Sequence, residues 1–220
     1  YEPVYLCKVN RDIDLQKIAK TSIGRLPGSD MSIPIKNINA LVTHNTAVLG
    51  ILGVGKSCLT FELIKKIVAA GIKVICLDIT NQYASDNGLY KYVPKAQIVS
   101  DLQQEKIDEL EQQSMRKGTS ESKSTWGNVE EFKKLMESEV SGFMDADNKS
   151  VMVLNPEKYI VRRAATDFKI TELKDVSLVE KVQIISELIL KKCMDLGQID
   201  KARCCVVYEE AHSLTPEFNS

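Results

Sequence analysis

The chain has 220 residues, enough for one ordinary domain or one domain with a small appendage. Hydrophobic residues make up 44% and charged residues 27%, the balance of a soluble globular chain, and the net charge of −1 gives no global basic excess to draw nucleic acid. The six cysteines lie mostly in or beside apolar runs with no CxxC pair, and no apolar run approaches the ~20 residues of a membrane span. A disulfide framework, a cysteine-based metal cluster and a membrane span are therefore set aside, and a reducing, cytoplasmic setting is expected.

The first residue is Tyr1 rather than methionine, so the native start is expected upstream. Residues 3–9 and 32–35 are strand-like, residues 14–19 could form a helical turn, and residues 23–28 read as a turn region. Residues 1–40 are read as the tail of a β-rich N-terminal module, too short to hold a sheet alone. Residues 41–220 are read as the main domain.

Ala47-Val48-Leu49 is a short apolar run that predicts a buried strand. It leads into Gly50-Ile51-Leu52-Gly53-Val54-Gly55-Lys56-Ser57, which fits the phosphate-loop pattern G-x-x-x-x-G-K-[ST]. An amphipathic helix over residues 61–68 follows, with Gly71 as its stop. Glycines let backbone N–H groups curl around phosphate oxygens, and the helix dipole adds positive potential. Gly50, Leu52, Gly53, Val54, Gly55, Lys56, Ser57 and Cys58 are the expected nucleotide contacts. Lys56 would reach the β- and γ-phosphates of ATP, and Ser57 would ligate Mg²⁺.

Residues 73–79 predict a second buried strand, and strand-helix-strand is the unit of a parallel sheet with a right-handed crossover. Residues of about 100–148 are polar and read as a helical insertion on the nucleotide core. Within it, residues 118–124 read as a flexible loop, and Asn128 followed by Glu131 resembles a capping box opening a helix over about 128–139. The charge-rich helices read as a solvated face, and Trp126 as a packing residue rather than a base-stacking one. Strand signals return at residues 151–154 and around 158–161. Ser177 followed by Glu180 is a capping box for a helix over 178–195, with Leu178, Val182, Ile185, Leu188 and Leu190 at roughly helical spacing. Alternating strands and helices place the chain in the α/β class.

Cys204-Cys205-Val206-Val207-Tyr208-Glu209-Glu210 is an apolar strand ending in two carboxylates, the form of a Walker B strand. A strand in the same sheet as the phosphate-loop strand delivers its acids to the edge where ligands bind in open α/β sheets. Glu209 is expected to hold the Mg²⁺ shell. Glu210, the last acid and the one projecting furthest, is expected to polarise the attacking water as the catalytic group beside Lys56.

Glu209-Glu210-Ala211-His212, followed by Leu214 and Pro216, resembles the EEAH Walker B of HerA-type ATPases in the HerA/FtsK superfamily. His44 stands before the phosphate-loop strand, where that family usually carries a histidine. Residues 50–57 resemble its GxTGSGKS loop, with Leu52 and Val54 replacing threonine and serine. Asp78-Ile79-Thr80-Asn81-Gln82-Tyr83 resembles its DPxGEY segment, with Gln82 where glutamate is usual, and residues 23–35 resemble the end of its N-terminal β-barrel. The resemblance covers residues of about 23–216. It implies a P-loop NTPase of the RecA-like, additional-strand type: a parallel sheet with flanking helices and a further strand between the phosphate-loop strand and the Walker B strand. It also implies a homo-hexameric, DNA-translocating ATPase, often partnered with a nuclease or another effector enzyme. ATP would sit between subunits and receive an arginine from the neighbour. The family's remaining strands and arginines follow its Walker B, so a chain incomplete at its C-terminus is expected. Arg162 and Arg163 match no family motif and read as salt-bridged surface residues.

Two functions compete: an ATP-hydrolysing motor on DNA, and an ATP-regulated assembly protein with slow hydrolysis and no translocation. Glu210 favours the first, because a binding-only protein needs no water-polarising acid. A guanine-reading switch lacks its motif, since Asn148-Lys149 runs into Ser150-Val151 rather than N-K-x-D. His44 reads as a polar residue at a domain junction, His212 as either a γ-phosphate coupler or a helix-start hydrogen bond, and Asp78 as a strand end or a contact behind the catalytic centre.

Overall fold

The structure, a computed structural model, describes residues 22–25, 28–35, 37–51, 53–100, 104–115, 127–167, 170–197 and 199–214. The expected strand over residues 3–9, the turn at 14–19, Leu52, the 118–124 loop, Trp126 and Pro216 lie outside them. The first described elements are a small antiparallel hairpin, β1 (Ser22–Arg25) and β2 (Ser32–Pro34), and a short helix, α1 (Ile38–Val42). Then come α2 (Lys56–Ala69), β3 (Lys73–Leu77), β4 (Ile98–Ser100), α3 (Gln104–Met115), α4 (Val129–Asp145) and β5 (Val151–Leu154). An antiparallel ribbon, β6 (Arg162–Asp167) with β7 (Ile170–Asp175), precedes α5 (Leu178–Asp195) and β8 (Cys204–Tyr208).

Four strands form one parallel sheet in the order β4-β5-β3-β8. Side chains alternate across a strand with period two. Val74 and Cys76 of β3, with Val151 and Val153 of β5, meet Phe61, Ile64 and Ile67 of α2 on one face. Ile75, Leu77, Met152 and Leu154 meet α4 and α5 on the other, through Phe132, Met136, Val140, Val182, Ile185 and Ile189. Burial on both faces explains why β3 and β5 read as unbroken apolar runs.

Several expectations change. Residues 45–50 form no strand, and Leu49 is 88% exposed. Among the described residues this segment has no ladder partner. A cleft of about 860 Å³ lies between it and β8, lined by both. An extended segment without a neighbour lacks the hydrogen bonds that make a strand. Strand β4 and the β6–β7 ribbon were not expected. The strand signal around 158–161 resolves into a short turn, Pro156–Lys158, opened by Asn155, and the ribbon begins at Arg162.

Helix α4 is longer than expected, and Asn128 stands at its N-cap as expected but makes no side-chain cap bond there. Its buried side chain instead donates to Leu110 O (2.6 Å) and Ile160 O (2.9 Å) and accepts from Arg162 N–H (2.7 Å), tying α3 to the start of the ribbon. Five apolar residues of α4, Phe132, Met136, Val140, Phe143 and Met144, are buried in the core, so only its outer side is a solvated face. Lys73 Nζ donates to Phe143 O (2.8 Å), Ala146 O (2.5 Å) and Lys149 O (2.9 Å) around the C-terminal end of α4, a favourable place for a cation. Ser177 caps α5 as expected, accepting from Glu180 N–H at 3.2 Å.

Along α5 the buried stripe passes through Val182, Ile185 and Ile189, while Leu190 is 61% exposed. Ile189→Ala is expected to cost about 2–5 kcal/mol and Leu190→Ala less than about 0.5 kcal/mol, as read by chemical denaturation. Equal losses would place the helix in the wrong rotation.

Candidate nucleotide site

The glycines of the loop do what the spacing asks of them. Gly53 and Gly55 take φ values of +80° and +90°, the left-handed region that disfavours a side chain. Gly55 is the N-cap of α2, with no side-chain cap, and no acid stands in the first turn. The N–H groups of a 14-residue helix start are thus left for an outside acceptor, with the dipole favouring an anion. Half-buried Lys56 folds its Nζ back onto the loop, donating to Gly50 O at 2.9 Å and Ile51 O at 3.2 Å. Ser57 and Cys58 are exposed beside it.

At the opposite wall β8 ends at Tyr208, and Glu209 N–H still donates to Leu77 O at 3.1 Å. That last rung sets the half-buried Glu209 carboxylate against the segment after β3. Thr80 donates to it twice, from N–H to Oε2 (3.0 Å) and from Oγ1 to Oε1 (2.5 Å). Burial raises the Glu209 carboxyl to about 7, a hydrogen bond with Asp78 adds to this, and the two Thr80 bonds oppose it. Asp78 is 1% exposed and is itself held by Gln82 N–H (3.2 Å) and Tyr83 N–H (2.7 Å). The turn needs a left-handed residue, supplied by Asn81 at φ 60°, where the resembled pattern has glycine. Gly88 closes the same loop, since a Cβ there would stand 2.2 Å from Tyr83 O.

Glu210 leaves the strand in a left-handed turn at φ 46°, closed by Ser213 N–H to Glu210 O at 2.8 Å. Its Oε2 lies 3.1 Å from His212 Nδ1. His44 Nδ1 is 2.6 Å from Ala40 O at the end of α1. Lys56, Ser57, Glu209, Glu210, His44 and His212 all line the same cleft of about 860 Å³.

The family described as the central domain of helicase HerA matches residues 21–203. The chain belongs to that family. No curated protein and no solved structure gives a match. The membership makes this a HerA-type ATPase domain, and its α/β fold with four parallel strands flanked by helices agrees. Because the match ends at residue 203, Glu209 and Glu210 stand on the sequence and the sheet alone.

Of the sequence-predicted residues, this HerA-family domain brings Gly50, Lys56 and Ser57 to the same cleft as Glu209 and Glu210. Gly53, Val54, Gly55 and Cys58 belong to the loop and the first turn of α2 beside it, and Leu52 lies outside the described residues. The donor set suits Mg·ATP: uncapped N–H groups and a lysine for phosphate, and a hydroxyl and a carboxylate as hard oxygens for a cation. Among the described residues no cluster of three metal-ligating side chains occurs. Mg²⁺ keeps several waters and takes phosphate oxygens, so a hydroxyl and a carboxylate are what it would ask of this chain. Arg162 pairs with Asp175 (3.1 Å) and Arg163 with Glu180, in keeping with a surface role. Sequence reasoning passed over Thr80, which no pattern marks.

Asp78→Ala would leave the Gln82 and Tyr83 N–H groups without their charged acceptor. A loss of about 1.5–3 kcal/mol is expected, with faster amide exchange at Gln82 and Tyr83 than at β3. Unchanged exchange at both amides would remove Asp78 as the anchor of this loop.

Proposed function

We propose that the domain is the ATP-hydrolysing motor of a homo-hexamer that translocates on DNA, working with a nuclease or another effector enzyme. The observation carrying this reading is the shared cleft, with a phosphate loop on one wall and paired glutamates on the other. Family membership supports the DNA and ring parts.

Lys56 would exchange its two loop carbonyls for β- and γ-phosphate oxygens, and the free N–H groups of the α2 start would bind the same phosphates. Ser57 and Glu209 would hold Mg²⁺, Glu209 through water. When bound, the cation neutralises charge developing on the phosphates. Glu210 lies beyond the strand end and exposed to the cleft, so it would orient and polarise the attacking water.

Lys56→Ala is expected to remove most ATP affinity or turnover. Glu210→Gln keeps size and hydrogen bonding but loses the charge, so it should retain ATP and hydrolyse it about 100-fold more slowly, measured as single-turnover phosphate release. Normal turnover in Glu210→Gln, with Glu209→Gln binding Mg·ATP but inactive, would reverse the two roles.

A motor on DNA should show DNA-stimulated hydrolysis, with DNA affinity falling steeply as salt rises because phosphate neutralisation releases counterions. Protein that hydrolyses ATP slowly, ignores DNA and binds none at low salt is instead an ATP-regulated assembly protein.

A further inference from the structure

Two carboxylates meet behind the nucleotide cleft, and they are held unequally. Asp78 is buried and fixed by two backbone N–H groups of its own loop. Glu209 is only half-buried and leaves the end of β8 with a longer, freer side chain. Asp78 is therefore fixed in place, and the member of the pair that can swing away is Glu209. What opposes that swing is Thr80. Its N–H takes one carboxylate oxygen at 3.0 Å and its hydroxyl takes the other at 2.5 Å, a two-point grip that fixes the plane of the group. The same hydroxyl lies 3.3 Å from Asp78 Oδ1, so the shorter bond to Glu209 takes its single proton.

We infer that Thr80 is a positioning residue for the cation-binding carboxylate: its hydroxyl bridges the Asp78–Glu209 pair and holds Glu209 toward the cleft that contains Ser57. A carboxylate offers about four lone-pair sites. Thr80 occupies one on each oxygen, and the remaining sites serve the contact with Asp78 and water of a metal shell. The grip therefore orients Glu209 without blocking it. It also spans the sheet, because Thr80 follows β3 while Glu209 follows β8, so the position of the acid is tied to the neighbouring strand rather than to its own turn. Groups that orient a metal-binding side chain commonly change metal affinity or activity 10–100-fold when lost.

The inference rests on the ATPase reading, and the test separates the two. ATP binding is followed by equilibrium fluorescence while Mg²⁺ is titrated, in wild type, Thr80→Val and Thr80→Ser. Thr80 is exposed, so neither substitution opens a cavity in the core. Thr80→Val keeps the shape and the backbone donor but loses the hydroxyl. It should raise the Mg²⁺ concentration for half-maximal tight binding by about 10-fold, with Mg²⁺-free ATP binding unchanged. Thr80→Ser restores the hydroxyl and should return the requirement close to wild type. A Thr80→Val protein with the wild-type Mg²⁺ requirement overturns the inference alone. So does a Thr80→Ser protein as impaired as Thr80→Val, because the methyl rather than the hydroxyl would then matter. Wild type whose ATP binding ignores Mg²⁺ overturns the ATPase reading and this inference with it. Thr80→Ala serves as a second hydroxyl-free variant and should match Thr80→Val.

Discussion

Pairing of β3 on both sides is the constraint from which the rest follows. Its residues 73–77 align with β8 in full register, and residues 74–77 align with β5. Parallel strands of this kind are stable only when both faces are covered. The alternation along β3 therefore commits α2 to one face and α4 with α5 to the other. The same register fixes where the strands end. Leu77 stands opposite Tyr208, and the next residues out are Asp78 and Glu209. The chemistry at the sheet edge is thus a consequence of strand pairing, one residue past the last aligned pair.

How much of this could be read in the sequence depended on whether the signal was local. Helix α5 was legible at both ends, because Ser177 and Glu180 cap it and its apolar residues repeat at helical spacing. The error there was one of phase. Residues 178, 182, 185 and 189 follow steps of four and three, and residue 190 falls beside the stripe. Strands β3, β5 and β8 were legible as apolar runs between polar ends. The β6–β7 ribbon was not, since its support is cross-strand pairing such as Arg162 with Asp175, which no short window reveals. Asn128 carried a valid capping pattern, yet three backbone groups from elsewhere claimed its side chain.

The site divides along the same line. The phosphate loop was legible because its glycines and lysine are contiguous, and the structure adds only the angles and the turn of Lys56 onto the loop. The paired glutamates were legible as a strand end. Their surroundings were not: Thr80 is separated from Glu209 by 129 positions in the chain and meets it only because β3 and β8 are neighbours. The segment 45–50 shows the reverse case. Its apolar residues announced a strand, but strand formation needs a partner as well as a sequence. Here a cleft lies between the segment and β8, and no ladder joins them.

The two walls of the cleft are therefore held by different forces, and this bears on what a bound phosphate would change. The acidic wall is tied into the sheet through the Leu77 rung and the two Thr80 bonds. The loop wall is tied mostly to itself, with Lys56 bonded to the carbonyls of Gly50 and Ile51. In the proposed function a phosphate arriving there would replace two bonds to neutral carbonyls with bonds to an anion, so the gain would be the difference between a charge-assisted pair of higher strength and the pair it displaces. Under the proposed function that difference would be available to do mechanical work, because releasing Gly50 and Ile51 would free the loop to follow the phosphates while the acidic wall stayed fixed to β3.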